Sequence, residues 1–127
     1  MIVLFSNRYR YFVYRSVCDM RKGFNGLSGV VRNEFKMDPL LGDVFVFFSR
    51  TGSRIKILRW EEDGFGIYSK RLEKGTFEMM RDTQGGVLEI KSEQLQFILS
   101  GIILSSVKKR TRYEHANVGK YRARSGL

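Results

Sequence analysis

Val44-Phe45-Val46-Phe47-Phe48 is the stretch that decides the fold. A short, unbroken apolar run rich in β-branched and aromatic residues reads as a strand buried on both faces. Ser49-Arg50-Thr51-Gly52-Ser53 then supplies turn chemistry. Arg54 to Trp60 and Phe65 to Arg71 follow as two further strands, joined through Glu61-Glu62-Asp63-Gly64. The Asp63-Gly64 pair suits a tight hairpin, because glycine accepts a positive φ. Lys74-Gly75 marks another turn, and Thr76 to Met80 is expected as a further short strand. Residues 81–86 read as a polar loop ending in Gly85-Gly86.

Upstream, residues 8–15 read Arg-Tyr-Arg-Tyr-Phe-Val-Tyr-Arg, a strand by composition. After Gly23 and Gly26, the apolar residues Leu27, Val30, Val31 and Phe35 fall on one helical face. Ser28, Arg32, Asn33 and Lys36 take the other, and Asp38-Pro39 stops the helix. Downstream, Ser92 is a hydroxyl suited to capping a second helix, whose stripe is Leu95, Ile98, Leu99, Ile102 and Ile103. The expected fold is therefore α+β: an antiparallel β-meander of about four to five strands with two main helices packed on one face.

The chain has 127 residues, 43% of them hydrophobic, enough for one domain with a core of its own. Its lone cysteine, Cys18, excludes an intrachain disulfide, and its lone histidine, His115, excludes the usual Cys/His zinc clusters. The apolar start Met1–Phe5 has no basic segment before it, so a signal peptide is not expected. The apolar stretch from Phe97 to Leu104 is far short of the ~20 residues a bilayer span needs. The expected address is the cytoplasm, with no membrane partner.

Charge is unevenly spread. Lys and Arg number 23 against 13 Asp and Glu, for a net +10. Residues 107–127 hold seven basic side chains, among them Lys108, Lys109, Arg110 and Arg112, against the single acid Glu114. The expected organisation is a folded domain over 1–106 and a basic, mobile tail over 107–127. A basic arm of this kind is a common electrostatic contact for phosphate backbones.

Chemistry beyond charge is thin. Glu61-Glu62-Asp63 lies in a turn, where carboxylates are ordinarily just solvated, and no metal site is expected there. Asp19 stands where a structural cap is expected, and Cys18 is expected to be packed away. Gly23-Phe24-Asn25-Gly26 follows two cations and precedes a helix, so its backbone could meet a phosphate, although it is no Walker motif. Aromatic and basic residues interleave over Arg8–Arg15 and over Arg54–Arg71, which includes Trp60 and Tyr68. Such strands can stack bases, but their aromatics more often form core. No cofactor is implied.

Several segments together resemble a known family. They are Asp19-Met20-Arg21-Lys22-Gly23-Phe24-Asn25-Gly26-Leu27, Gly42-Asp43-Val44-Phe45-Val46-Phe47 and Arg54-Ile55-Lys56-Ile57-Leu58. Asp63-Gly64-Phe65, Tyr68-Ser69-Lys70-Arg71-Leu72-Glu73-Lys74-Gly75-Thr76-Phe77, Gln94-Leu95 and Ser100-Gly101-Ile102 follow in the same order. Over residues 8–104 the chain resembles the TnpB-type accessory proteins encoded by the second reading frame of insertion sequences of family sixty-six. Two positions depart from that pattern. Arg59 precedes a single Trp60 where the family often has two aromatics, and Glu78-Met79-Met80 stands where it often has Trp-Pro.

The resemblance implies a non-catalytic helper in transposition, made beside a larger transposase that carries the chemistry. The leading expectation is DNA binding, with Arg21, Lys22, Lys56, Lys70, Arg71, Lys108, Lys109, Arg110 and Arg112 as phosphate contacts. The family motif Asp19, Met20, Arg21, Lys22, Gly23, Phe24 and Gly26 is the associated candidate site. The alternative is an adaptor that binds transposase or another copy of itself without touching DNA. A metal-dependent nuclease using Asp19 or Glu61–Asp63 is the last reading, since no catalytic constellation accompanies them.

Overall fold

The computed structural model describes residues 6–78, 82 and 84–101. Five strands form one sheet in the order β4-β3-β2-β1-β5. They are β1 (Tyr11–Val17), β2 (Val44–Phe48), β3 (Arg54–Trp60), β4 (Phe65–Arg71) and β5 (Val87–Ile90). Two helices accompany them, α1 (Phe24–Val30) and α2 (Ser92–Ser100). The α+β class is as expected.

The sheet is mixed rather than wholly antiparallel. β2, β3 and β4 form the antiparallel meander, with Val46 opposite Ile57 and Ile57 opposite Tyr68. β1, however, runs parallel to β2, with Phe12 opposite Phe45. The reason lies in the connection. Residues 18–43 carry α1, a π-helical turn over Val31–Phe35 and a 3-10 turn over Pro39–Leu41. A crossover of that length permits a parallel return, which a short hairpin does not. β5 then adds antiparallel to the outer side of β1, with Tyr11 opposite Ile90.

The helices lie on opposite faces, not on one. Leu27, Val31 and Phe35 pack on Phe12, Phe45, Phe47 and Leu58. Leu95 and Ile98 of α2 pack on Tyr11, Val13, Val44, Val46, Phe48, Ile55 and Ile57. This double cover is what the unbroken apolar run of β2 requires, because its successive side chains point to alternate faces. Phe45, Phe47 and Phe48 are each 2% exposed or less. Each such side chain contributes roughly 1.5–3 kcal/mol by burial.

Other local expectations are adjusted. Thr76–Glu78 is not a strand; Phe77 instead donates its N–H to Gly52 O at 2.8 Å and tucks its ring against Phe48. Met79 and Met80 lie outside the described residues. β5 falls where no strand is expected. Gly85, at φ 74°, lets the chain pass so close to β1 that a Cβ there would stand 2.8 Å from Ser16 Oγ. At α2 the cap residue is Lys91, whose N–H donates to Gln94 Oε1 at 2.8 Å, so Gln94 rather than the Ser92 hydroxyl serves the helix start. Ile102 and Ile103 lie outside the described residues. In the β3–β4 hairpin Glu62 carries the positive φ, 76°, in place of Gly64.

Candidate nucleic-acid interface

The motif Asp19–Gly26 forms the turn between β1 and α1. Cys18 ends the strand by donating its N–H to Phe48 O at 2.9 Å, and its thiol is buried, which pushes its pKa up. Asp19 Oδ1 accepts the Arg21 backbone N–H at 2.9 Å, and Lys22 N–H donates to Asp19 O at 3.1 Å. The Arg21 guanidinium forks onto the same carboxylate, Nη2 to Oδ2 at 2.8 Å and Nε to Oδ1 at 3.1 Å. These bonds, with the Arg21 side chain the largest cause, hold the Asp19 carboxyl well below the usual carboxylate range. Asp19 is therefore a turn-former tied to an arginine. The Arg21 side chain remains 92% exposed.

A second clamp comes from β3. Lys56 Nζ donates to Met20 O at 2.7 Å and to Lys22 O at 2.9 Å. Met20 packs its side chain against the α1-side core. Gly26 has a steric duty, since a Cβ there would lie 2.9 Å from Lys22 Cβ. Gly23 accepts the Leu27 N–H at 2.9 Å and so opens α1. Phe24, the first residue of that helix, is 50% exposed beside the two cations.

The strand register sorts the other candidates. Phe47 lies opposite Lys56, and Arg54 opposite Arg71, so Lys56, Arg54 and Arg71 share the α1 side of the sheet. Arg71 Nη2 bonds Glu73 Oε2 at 3.0 Å, with both side chains exposed. Lys70 lies opposite Ile55 and so belongs to the α2 side. The structure thus brings Arg21, Lys22 and Lys56 together, sets Arg71 on the same face and Lys70 on the other. Lys108, Lys109, Arg110 and Arg112 lie outside the described residues. Arg54 is a cation the sequence reading did not select. The signal was the pairing across the Glu61–Gly64 turn, which sets Arg54 against Arg71.

The interleaved aromatics are mostly occupied. Tyr11 is buried and its hydroxyl donates to Ser6 O at 2.6 Å. Tyr14 stacks on Phe35, with ring centroids 5.4 Å apart, and Trp60 meets Phe65 edge-on at 5.0 Å. Arg59 lies 4.0 Å over the Tyr9 ring and donates to Gly42 O at 3.1 Å. Its flat guanidinium thus packs on the ring with its face while an N–H reaches the backbone. Among the described residues, no three histidine, cysteine or carboxylate side chains converge as a metal site. Among them, too, no helix is long and apolar enough to cross a membrane.

The family model for IS66 Orf2-like proteins matches residues 9–109, and so spans the clamp, both helices and all five strands. The chain belongs to this family. Membership places it among the accessory proteins of insertion sequences, with a role alongside transposition. Two relatives come from Sinorhizobium fredii. The uncharacterized protein y4hO is 37% identical over 93 residues, which is 73% of this chain and 80% of its own length. The uncharacterized protein y4jC is 30% identical over 101 residues, 80% of this chain and 86% of its own. No solved structure matches the Orf2-like chain.

Proposed function

We propose that this Orf2-like protein binds DNA through the α1 side of its sheet while assisting a separate transposase. The observation that carries this reading is the display on one turn of Arg21, Lys22 and the half-exposed Phe24, beside Arg54 and Arg71 on the same face. Cations there meet phosphates, and an exposed ring meets sugar or base. Lys56 contributes by holding the turn in place. The basic residues 107–127 add nonspecific phosphate contact.

The test is fluorescence anisotropy with duplexes carrying the element's terminal repeats, and with scrambled duplex, over a salt series. The wild type is expected to bind with a steep salt slope. The Lys22→Ala/Arg54→Ala double variant should weaken binding to both duplexes and reduce the slope by about two, at roughly 0.9 per lost phosphate contact. Absence of binding at low salt overturns the reading.

One observation favours a second reading, an adaptor that docks on transposase. Leu40 and Leu41 are 42% and 71% exposed. They are held outward by Pro39, by Asp38 Oδ1 accepting the Leu40 N–H at 2.9 Å, and by Gly42 at φ 88°. Transposase capture lost on Leu41→Ser, with DNA absent, would select it.

A further inference from the structure

β4 ends the described sheet. Its inner side pairs with β3, and among the described residues no strand pairs with its outer side. The register tells which groups face out. Leu72 N–H donates to Ser53 O, and Glu61 N–H to Gly64 O, each at 2.7 Å. Both pairs continue the register that sets Arg54 against Arg71. Bonded and non-bonded pairs alternate along an antiparallel ladder. Gly66, Tyr68 and Lys70 therefore turn their backbone groups to β3, while Phe65, Ile67, Ser69 and Arg71 turn theirs outward.

This edge lacks three of the usual protections: short length, a proline and a bulge. It is seven residues long, with neither proline nor a break in its register with β3. Its charge is polarised instead: Lys70 and Arg71 stand at one end, and the exposed Glu62 and Asp63 sit in the turn at the other. An edge with opposite charges at its two ends complements a reversed copy of itself.

We propose that β4 pairs antiparallel with β4 of a second copy, centred on Ile67, so that one sheet runs through the dimer. Outward-facing residues must meet outward-facing residues, and an overlap of at least five strand residues then restricts the centre to Ile67, Tyr68 or Ser69. A Tyr68 centre sets Arg71 against the partner's Phe65, so that neither arginine meets an acid. A Ser69 centre carries the acidic turn beyond the partner's basic end. The Ile67 centre sets Ile67 on Ile67, Phe65 against the partner's Ser69, and Arg71 against the partner's Asp63, twice by symmetry. Its twofold axis stands perpendicular to the sheet, so both α1 sides face the same way. The proposal does not rest on DNA binding and is tested without DNA.

The experiment is sedimentation velocity on the full chain at micromolar concentrations, with circular dichroism to verify folding. The wild type should have twice the 14.8 kDa mass of one chain. Ser69→Pro removes an outward N–H and no bond to β3, and should raise the dimer Kd at least about tenfold. Arg71→Glu and Asp63→Lys should each weaken self-association similarly. An equimolar mixture of those two charge-reversed chains should associate again, because opposite charges then meet at both ends. A monomeric wild type overturns the proposal. So does a dimer indifferent to all three substitutions, which would place its contact elsewhere, or a mixture that fails to reassociate.

Discussion

Lys56 offers the sharpest test of how the motif turn is built. Replacing it with methionine keeps the stem and removes two charge-assisted hydrogen bonds, to Met20 O at 2.7 Å and Lys22 O at 2.9 Å. Bonds to charged groups contribute about 1.5–3 kcal/mol each when sheltered, and less where water can replace the lost partner. The first bond is partly buried and the second exposed, so Lys56→Met should cost about 2 kcal/mol. In urea unfolding this lowers the midpoint by roughly 1 M, at a slope of about 1–3 kcal/mol per molar. Exchange of the Lys22 amide hydrogen, which bonds Asp19 O, should accelerate in parallel. The opposite assignment, a direct phosphate contact, leaves the midpoint in place and reduces the DNA salt slope by about 0.9. That pair of results would refute the clamp.

Two further substitutions probe strain and burial. Glu62 holds φ 76°, a region costing a non-glycine residue about 1–2 kcal/mol, against roughly 0.5–1 kcal/mol of added unfolded-state freedom for glycine. Glu62→Gly should therefore stabilise by about 0.5–1 kcal/mol in urea unfolding, and a destabilised variant would sink the strain argument. Burial pushes the Asp43 carboxyl above its usual range; Arg10 opposes this and Glu89 adds to it. A raised acid pKa means the native state holds that proton more tightly than the unfolded chain. Stability is thus lost as pH rises from the ordinary carboxylate range through the raised value. Asp43→Asn should be more stable than wild type at pH 7, with the gap closing below the ordinary range. A gap that widens on acidification would reverse the assignment.

How much of this was legible differs by element. Val44–Phe48, Arg54–Trp60 and Phe65–Arg71 lie in the structure where the sequence places them, because an apolar run and two turns are local signals. The parallel pairing of β1 is not local. It depends on which strand the crossover returns beside, and the same residues fit either direction. β5 escapes for a related reason: four residues carry too little periodicity, and its place is set by the outer edge of β1. At the site, Asp19 as a turn-former was readable from its position. The Lys56 clamp was not, since 34 residues separate it from Lys22. Arg54 likewise becomes a neighbour of Arg71 only once the hairpin register is known.

The double cover of the sheet constrains any nucleic-acid role more than the charge does. Sheets that read single strands do so through an uncovered face, where aromatics stack successive bases. Here α1 covers one side of β2 and α2 the other, and Tyr11, Phe12, Phe45 and Phe47 are consumed in packing. Among the described residues, what remains on the α1 side is a rim of cations beside the half-exposed Phe24, while Tyr14, Trp60 and Phe65 are engaged with other rings. Contacts of that kind position a duplex and supply salt-sensitive affinity, but carry little sequence information. On the proposed reading, discrimination between terminal repeats and other DNA must then come from geometry. A twofold pair of basic faces, both turned the same way, would engage two phosphate tracks at a set separation. The selectivity expected of it is therefore a dependence on spacing between half-sites, one that Ser69→Pro removes while single-site affinity persists.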